Sequence, residues 1–141
     1  SAQKYNSDPF LILSLIREES HFLPTARSTS NALGLMQLLP STAEHIANII
    51  SADYPSEYNL FTPEYNILLG TAYFNHVIKI TDNFPMFAVG GYNGGPNAMN
   101  KWRKMLKEED LDVFVESIPY AESKNYIKKV YRSRYNYSKI Y

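Results

Sequence analysis

Residues 8–24 read DPFLILSLIREESHFLP, and this stretch predicts the first helix of the chain. Asp8 is a suitable N-cap, and Pro9 would stand at the first helical position, where its missing N–H is not needed. The helix is predicted to continue over residues 10–21, and a helical wheel gathers its apolar residues into a single arc that can face a core. That arc is formed by Leu11, Ile12, Leu15 and Ile16.

Glu19 falls near the middle of this apolar arc, whereas Arg17 points in the opposite direction and Glu18 lies at its edge. An unpaired carboxylate on a buried stripe is strongly unfavourable, so Glu19 must find a partner, lie at the mouth of a cleft or take up a proton. The wheel leaves two interpretations open. One is a helix-end carboxylate paired with an arginine or lysine elsewhere, and the other is a general acid with a raised pKa.

Helix-start and helix-stop signals divide the remainder of the chain into further helices. Ser41 and Glu44 form a capping-box pattern, and the Asn-Gly-Gly-Pro sequence at residues 93–96 ends one helix and starts the next. The predicted helices cover residues 41–50, 65–80, 84–92, 96–104, 111–117 and 120–137, with an irregular segment over residues 23–33. The chain is therefore predicted to be all-α, with about seven helices and without strands, repeats or linkers.

The composition fits one globular domain over residues 1–141. The formal net charge is zero, which gives no indication of nucleic acid or an anionic membrane as a partner. The chain has no cysteine and no apolar run of about 18 residues that could span a bilayer. Residues 1–7 are polar and do not form a signal peptide, so a secreted protein would have to occur here as a processed form or an excised domain.

Four motifs follow one another along the chain. They are REESHFLP at residues 17–24, GLMQLLPSTA at 34–43, GYNGGP at 91–96 and IPYAESKNYI at 118–127. Together they resemble the four signatures of the soluble lytic transglycosylase family. The resemblance implies an all-α, goose-type lysozyme-like fold with a cleft for a strand of alternating N-acetylglucosamine and N-acetylmuramic acid.

The resemblance also implies which residues form the site. Glu19 would be the catalytic acid and base, and Tyr92 would hydrogen-bond its carboxyl group. Ser28, Met36 and Gln37 would line the cleft and hold the sugar acetamido groups. Asn93 would shape a turn, and Glu122 and Tyr126 would close the far wall.

The reaction implied is a non-hydrolytic cleavage of the β-1,4 bond between N-acetylmuramic acid and N-acetylglucosamine, which leaves 1,6-anhydromuramic ends. A goose-type lysozyme is the alternative within the same fold. It needs a second carboxylate to activate water, and no such residue can be assigned from the sequence. A catalytically silent peptidoglycan-binding module and a purely structural helical domain are the remaining interpretations.

Peptidoglycan glycan strands are the partner that the resemblance implies, in the periplasm or elsewhere in the cell envelope, and a monomer is expected. We expect no cofactor, because a single carboxyl group suffices for the reaction. We also expect no metal, because the three histidines, His21, His45 and His76, lack the spacing of metal ligands.

Overall fold

The computed structural model describes residues 8–105, 115, 118 and 121–141. These ranges contain six α-helices and one 3₁₀ helix: α1 (Pro9–Ser20), α2 (Pro40–Ile49), the 3₁₀ helix (Glu57–Phe61), α3 (Pro63–Ile80), α4 (Pro85–Gly94), α5 (Pro96–Met105) and α6 (Ala121–Ile140). The described residues contain no β-strand, only isolated bridges that pair Leu33 with Arg27 and with Leu38. The prediction of an all-α fold is confirmed.

Helix α1 begins as predicted and ends at Ser20, one residue before the predicted end. One carboxylate oxygen of Asp8 accepts hydrogen bonds from the N–H groups of Phe10 and Leu11, at 2.9 and 3.4 Å. The other oxygen accepts from the guanidinium of Arg134 on α6 at 2.6 Å. At the opposite end, His21 adopts a left-handed conformation with φ 50°, and its N–H donates to the carbonyl of Arg17. The helix that carries Glu19 is therefore fixed at both ends.

The start of α2 differs from the prediction. The helix begins at Pro40, and its N-cap is Leu39, which makes no side-chain hydrogen bond to the helix. Ser41 is exposed within the first turn, so it does not act as the N-cap of a capping box with Glu44. A proline is favoured at the first helical position because its φ is already helical, and this moves the start to the residue before Ser41.

Helix α4 extends further than predicted, through Asn93 and Gly94. Only Gly95 leaves the helical conformation, with φ 95°, a value that glycine adopts without steric penalty. The prediction that Asn93 shapes a turn was wrong, because Asn93 lies in the last turn of α4. Its Oδ1 accepts a hydrogen bond from the hydroxyl of Ser123 on α6 at 3.1 Å, which joins the two helices.

The 3₁₀ helix and the end of α6 also differ from the sequence prediction, and one predicted helix falls largely on residues that the structure does not describe. The 3₁₀ helix over Glu57–Phe61 was not predicted, and α6 continues to Ile140, beyond the predicted end at residue 137. The helix predicted over residues 111–117 lies outside the described residues, apart from Val115, which is buried.

Helix α3 lies between two clusters of buried side chains. Phe74 and Val77 belong to the first cluster, together with residues of α1, α4 and α6. Leu69 and Ala72 belong to the second, with residues of α2 and of the segments that precede α2 and α3. The apolar arc predicted for α1 lies in the first cluster, where each of its four members is at most 4% exposed. Its burial places the end of α1 beside the core.

A fully buried asparagine on α3 holds the loop that precedes α2. The side-chain oxygen of Asn66 accepts from the N–H of Met36 at 2.8 Å, and its amide nitrogen donates to the carbonyls of Leu33 and Leu60, both at 2.9 Å. The loop approaches so closely that a Cβ atom at Gly34, where φ is 80°, would collide with Asn66 and the Leu60 carbonyl. Residues 33–37 are thereby fixed against α3.

Replacing this asparagine should destabilise the domain. In Asn66→Ala, the N–H of Met36 and the carbonyl of Leu60 lose this partner in the interior, and the carbonyl of Leu33 keeps only its bond from the N–H of Leu38. We expect the free energy of unfolding to fall by roughly 3 kcal/mol. Urea denaturation followed by circular dichroism measures the loss. Asn48→Ala, at an exposed position of α2, is the matched control and should change the stability little. Equal stabilities of the two variants would contradict the role of Asn66.

Candidate active site

Glu19 lies in the last turn of α1, facing α6. The hydroxyl of Tyr126 on α6 donates a hydrogen bond to its Oε1 at 2.8 Å. Tyr126 is itself only 9% exposed. Burial and the neighbouring Glu19 charge raise the pKa of Tyr126 well above 10, so its hydroxyl stays protonated and remains a donor. A buried tyrosine is thus the polar partner that the buried carboxyl requires.

Burial also raises the pKa of Glu19 from 4.5 to about 7. The removal of the carboxylate from water is the largest cause, and the hydrogen bond from Tyr126 acts in the opposite direction. The charges of Glu18 and Glu122 raise the pKa further. Near neutral pH the same group therefore exists both as an acid that can give a proton and as a carboxylate that can accept one.

Tyr92 does not make the hydrogen bond that the family resemblance implied. Its hydroxyl donates to the main-chain carbonyl of Met36 at 2.6 Å, and Tyr126 occupies the position of donor to Glu19. Burial, followed by the nearby charge of Glu19, raises the pKa of Tyr92 well above 10. Tyr92 therefore fixes the loop over residues 34–37 beside the carboxyl group instead of holding the carboxyl itself.

The side chain of Met36 does not line the cleft, contrary to the expectation. It is fully buried and packs against Gly70 of α3, where a Cβ atom would collide with its sulfur. The missing side chain at Gly70 provides the space that the methionine fills. The contribution of Met36 to the site is its main chain, through the carbonyl that accepts from Tyr92 and the N–H that donates to Asn66.

Gln37 and Ser28 do face the cleft. Gln37 has a left-handed backbone, with φ 52°, and its amide nitrogen donates to the carbonyls of Gly34 at 2.9 Å and Ala26 at 3.2 Å. These two bonds occupy both N–H groups of the side-chain amide, so its oxygen is the atom that can bind a ligand. The hydroxyl of Ser28 accepts from the N–H of Ala32 and contacts the hydroxyl of Ser30, both at 3.0 Å.

These side chains surround a cleft of about 340 Å³. Of the residues predicted from the sequence, the cleft brings together Glu19, Ser28, Gln37, Tyr92, Asn93 and Glu122. Tyr126 lines the adjoining hollow of about 380 Å³, which shares Glu19, Asn93 and Glu122 with the cleft. Predicted residues from α1, α4, α6 and the loop before α2 therefore meet at one place.

The sequence prediction missed several cleft residues, of which Tyr73 on α3 is the largest. Its ring is half-buried and lies 5.3 Å from the ring of Tyr92, between centroids. Ser30, Thr42 and Leu39 were missed as well. The motifs gave no signal for Tyr73, because the chain has 12 tyrosines and this one lies outside all four.

Across residues 8–105 and 121–141, no three side chains of His, Cys, Asp or Glu lie close enough together to hold a metal ion. In the same part of the chain, no helix has both the length and the apolar character needed to cross a bilayer.

Comparison with known proteins identifies the family. The sequence model described as the Transglycosylase SLT domain matches residues 1–115. The chain belongs to this family. The SLT domain is 40% identical, over 129 residues, to the putative soluble lytic murein transglycosylase of Haemophilus influenzae, an alignment that covers 91% of the domain and 22% of that protein.

Two solved structures resemble the SLT domain closely. The first is an inactive mutant of the lytic transglycosylase Slt from Pseudomonas aeruginosa, with a TM-score of 0.94 and 31% identity, covering 98% of the domain and 22% of that chain. The second is the 70 kDa soluble lytic transglycosylase of Escherichia coli, with a TM-score of 0.84 and 35% identity, covering 89% and 21%. The domain spans about a fifth of the length of these relatives. The expected lysozyme-like helical fold is confirmed.

The raised pKa of Glu19 predicts a pH-dependent effect on stability. The unfolded chain releases this proton near pH 4.5 and the folded domain near pH 7, so ionisation of Glu19 weakens the fold as the pH rises between these values. Glu19→Gln does not ionise. Its free energy of unfolding should match that of the wild type near pH 4 and exceed it by up to about 3 kcal/mol above pH 7.

Urea denaturation of both proteins between pH 4 and 8 measures this difference. Glu44→Gln, which removes an exposed carboxylate from α2, is the control and should follow the wild type throughout. A constant difference between Glu19→Gln and the wild type at every pH would mean that the pKa of Glu19 is not raised.

Proposed function

We propose that residues 1–141 form the catalytic domain of a lytic transglycosylase. The domain cleaves the β-1,4 bond between N-acetylmuramic acid and N-acetylglucosamine in peptidoglycan without water and leaves 1,6-anhydromuramic ends. The observation that carries this proposal is the carboxyl of Glu19, buried beside an open cleft with a pKa of about 7. Three similar proteins are named lytic transglycosylases, which supports the proposal.

The protonated form of Glu19 begins the reaction. It donates its proton to the glycosidic oxygen, so that the leaving sugar departs as a neutral alcohol. Tyr126 holds the carboxyl through Oε1, which leaves Oε2 to carry the proton toward the cleft. Positive charge then develops at the anomeric carbon of the muramic acid. The acetamido oxygen of the same sugar stabilises this charge, as in substrate-assisted glycosidases.

The carboxylate form of Glu19 completes the reaction. It removes the proton from the 6-hydroxyl of the muramic acid, whose oxygen then bonds to the anomeric carbon and closes the 1,6-anhydro ring. The proton balance is restored, because Glu19 gains the proton that it gave away. A group that must act first as an acid and then as a base works best with a pKa near the working pH, and burial supplies that pKa.

Among the residues that the structure describes, Glu18 and Glu122 are the two other carboxylates that line the cleft or its adjoining hollow, and their surroundings support a single-carboxyl mechanism over hydrolysis. A hydrolase would need a second carboxylate to activate water or to attack the sugar. Glu18 is held in an ion pair with Arg17 at 2.7 Å. Glu122 borders the cleft but is exposed on α6, and no described contact orients it. Glu19 therefore carries both proton transfers in our proposal.

The cleft offers groups suited to an N-acetylated sugar. The oxygen of the Gln37 side chain can accept a hydrogen bond from an acetamido N–H, and the hydroxyls of Ser28 and Ser30 lie at the same wall. The half-buried ring of Tyr73 can cover the apolar face of a sugar ring. We propose these residues as the sugar-binding wall, with Asn93 and Glu122 opposite.

Peptidoglycan strands are the partner that follows from this activity, and the cell envelope, in the periplasm, is the place where the domain meets them. The curated relatives are named soluble and membrane-bound murein transglycosylases. We propose that the domain acts as a monomer and without a cofactor, because one chain supplies every group that the mechanism uses.

Digestion of purified peptidoglycan tests the proposal. The products of wild type, Glu19→Gln and the control Glu44→Gln are compared by mass spectrometry. We expect wild type and Glu44→Gln to release muropeptides one water lighter than hydrolysis products. We expect Glu19→Gln to lose at least about a thousandfold in rate, because an amide cannot donate the proton.

Each other result would contradict part of the proposal. Ordinary reducing ends from the wild type would establish a hydrolase of the lysozyme type. Activity retained by Glu19→Gln would remove Glu19 from its role, and a wild type that binds peptidoglycan without cleaving it would be a binding module.

A further inference from the structure

Helix α6 directs two hydroxyl groups from one of its faces toward residues of the site. Tyr126 donates to Glu19 on α1. Ser123 lies three residues earlier, so the two side chains stand on the same side of the helix. The hydroxyl of Ser123 donates to Oδ1 of Asn93 on α4 at 3.1 Å, and Ser123 is only 4% exposed. The proposed reaction uses the first of these contacts and leaves the second without a role.

The bond from Ser123 determines which atom Asn93 offers to a ligand. Asn93 is half-buried and borders both the cleft and the adjoining hollow. Its Oδ1 is held at α6 by Ser123, and no group in the described part of the chain accepts a hydrogen bond from its Nδ2. The Nδ2 atom carries two N–H donors. The amide nitrogen is therefore the part of Asn93 that remains for the cleft.

A donor at this position complements the other groups of the cleft. Both side-chain N–H groups of Gln37 are used within the protein, so Gln37 offers an oxygen, and Glu122 offers a carboxylate. Among the described residues that line the cleft, only Asn93 has side-chain N–H groups without a protein partner. Each N-acetylated sugar carries an acetamido carbonyl that can accept from such a donor. With its amide reversed, Asn93 would place one more oxygen near the carboxyl groups of Glu19 and Glu122.

The absence of a side chain at Gly94 allows Ser123 to reach Asn93. A Cβ atom at Gly94 would collide with the hydroxyl oxygen of Ser123, so any other residue there would force this hydroxyl to move. Gly94 is exposed and belongs to α4, where glycine is a poor helix former. The close approach of Ser123 gives a physical reason for glycine at this position.

We propose that Ser123 is a positioning residue for the glycan strand. Its hydroxyl holds the amide of Asn93 so that Nδ2 donates to an acetamido carbonyl of the bound strand. Ser123 acts only through Asn93 and does not touch the reacting atoms. The proposal rests on the proposed function, since it concerns how the same cleft holds its substrate.

Kinetics on soluble glycan strands test this role, with kcat and KM measured for Ser123→Ala, Asn93→Ala and the double variant. We expect Asn93→Ala to raise KM about tenfold and to leave kcat within about twofold of the wild type, because the lost bond contributes to binding in the ground state and the transition state alike. Ser123→Ala should raise KM about fivefold. The double variant should match Asn93→Ala, because the Ser123 hydroxyl has no target once Asn93 is removed. Ser123→Thr keeps the hydroxyl and should keep KM near that of the wild type.

The pH profile of kcat/KM separates this role from a general displacement of α6. A displaced helix would also disturb the bond from Tyr126 to Glu19 and would shift the midpoint that Glu19 gives to the profile. We expect Ser123→Ala to keep the wild-type midpoint. The matched control is Ser14→Ala, which removes another buried serine hydroxyl, bonded to the carbonyl of Phe10 at 2.7 Å and outside the cleft. It should keep both KM and the midpoint, and thermal unfolding checks that every variant folds.

Four results would overturn the role of Ser123 while leaving the proposed reaction in place. They are a wild-type KM in Ser123→Ala, additive effects in the double variant, a shifted midpoint in Ser123→Ala, and a KM of Ser123→Thr equal to that of Ser123→Ala. A wild type that cleaves no glycan strand would instead contradict the proposed function.

Discussion

The hydrogen bond between Tyr126 and Glu19 connects the two helices on which the site depends. Helix α1 brings the carboxyl out of water because Glu19 continues its apolar arc, and α6 supplies the only polar partner that the described residues give it. The two effects act in opposite directions, since burial favours the protonated form and the hydrogen bond favours the carboxylate. Burial is the larger of the two, and the resulting pKa of about 7 lies where one group can both give and take a proton.

A second constraint fixes the opposite wall of the cleft. Asn66 binds the loop before α2 through three buried hydrogen bonds, and Tyr92 binds the same loop from α4. The loop carries Gln37 in a left-handed conformation, which costs a residue other than glycine about 1 kcal/mol or more. These contacts offset that cost, and they hold the side chain of Gln37 at the cleft.

Much of the fold and part of the site could be predicted from the sequence, because both depend on local patterns. The N-cap of α1 and the burial of its apolar arc follow from residues within one helix. The same wheel argument would have identified Asn66, a polar residue that continues the apolar ladder of Leu69 and Val77 on α3. The helical periodicity of α3 therefore predicts that Asn66 is buried, although none of the four motifs includes it.

The start of α2 and the end of α4 were local errors, whereas the errors at the site concern contacts between elements that are distant in sequence. Tyr126 is buried and Tyr92 is partly buried near Glu19, and only the packing of α4 and α6 decides which hydroxyl reaches the carboxyl. The burial of Met36 depends on the absence of a side chain at Gly70, 34 residues further along the chain. The spacing of residues along the sequence does not specify which of them come into contact in the folded domain.

A direct titration of the Glu19 carboxyl tests the central claim. With glutamate labelled at the side-chain carboxyl carbon, NMR gives its chemical shift against pH, and Glu19→Gln identifies the signal. We predict a midpoint near pH 7, which should move to a higher pH in Tyr126→Phe because the hydrogen bond lowers the pKa. Tyr135→Phe, at an exposed position on the same helix, should leave the midpoint unchanged. A midpoint near 4.5 in the wild type would contradict the account, because Glu19 would then hold too few protons at neutral pH to act as the acid.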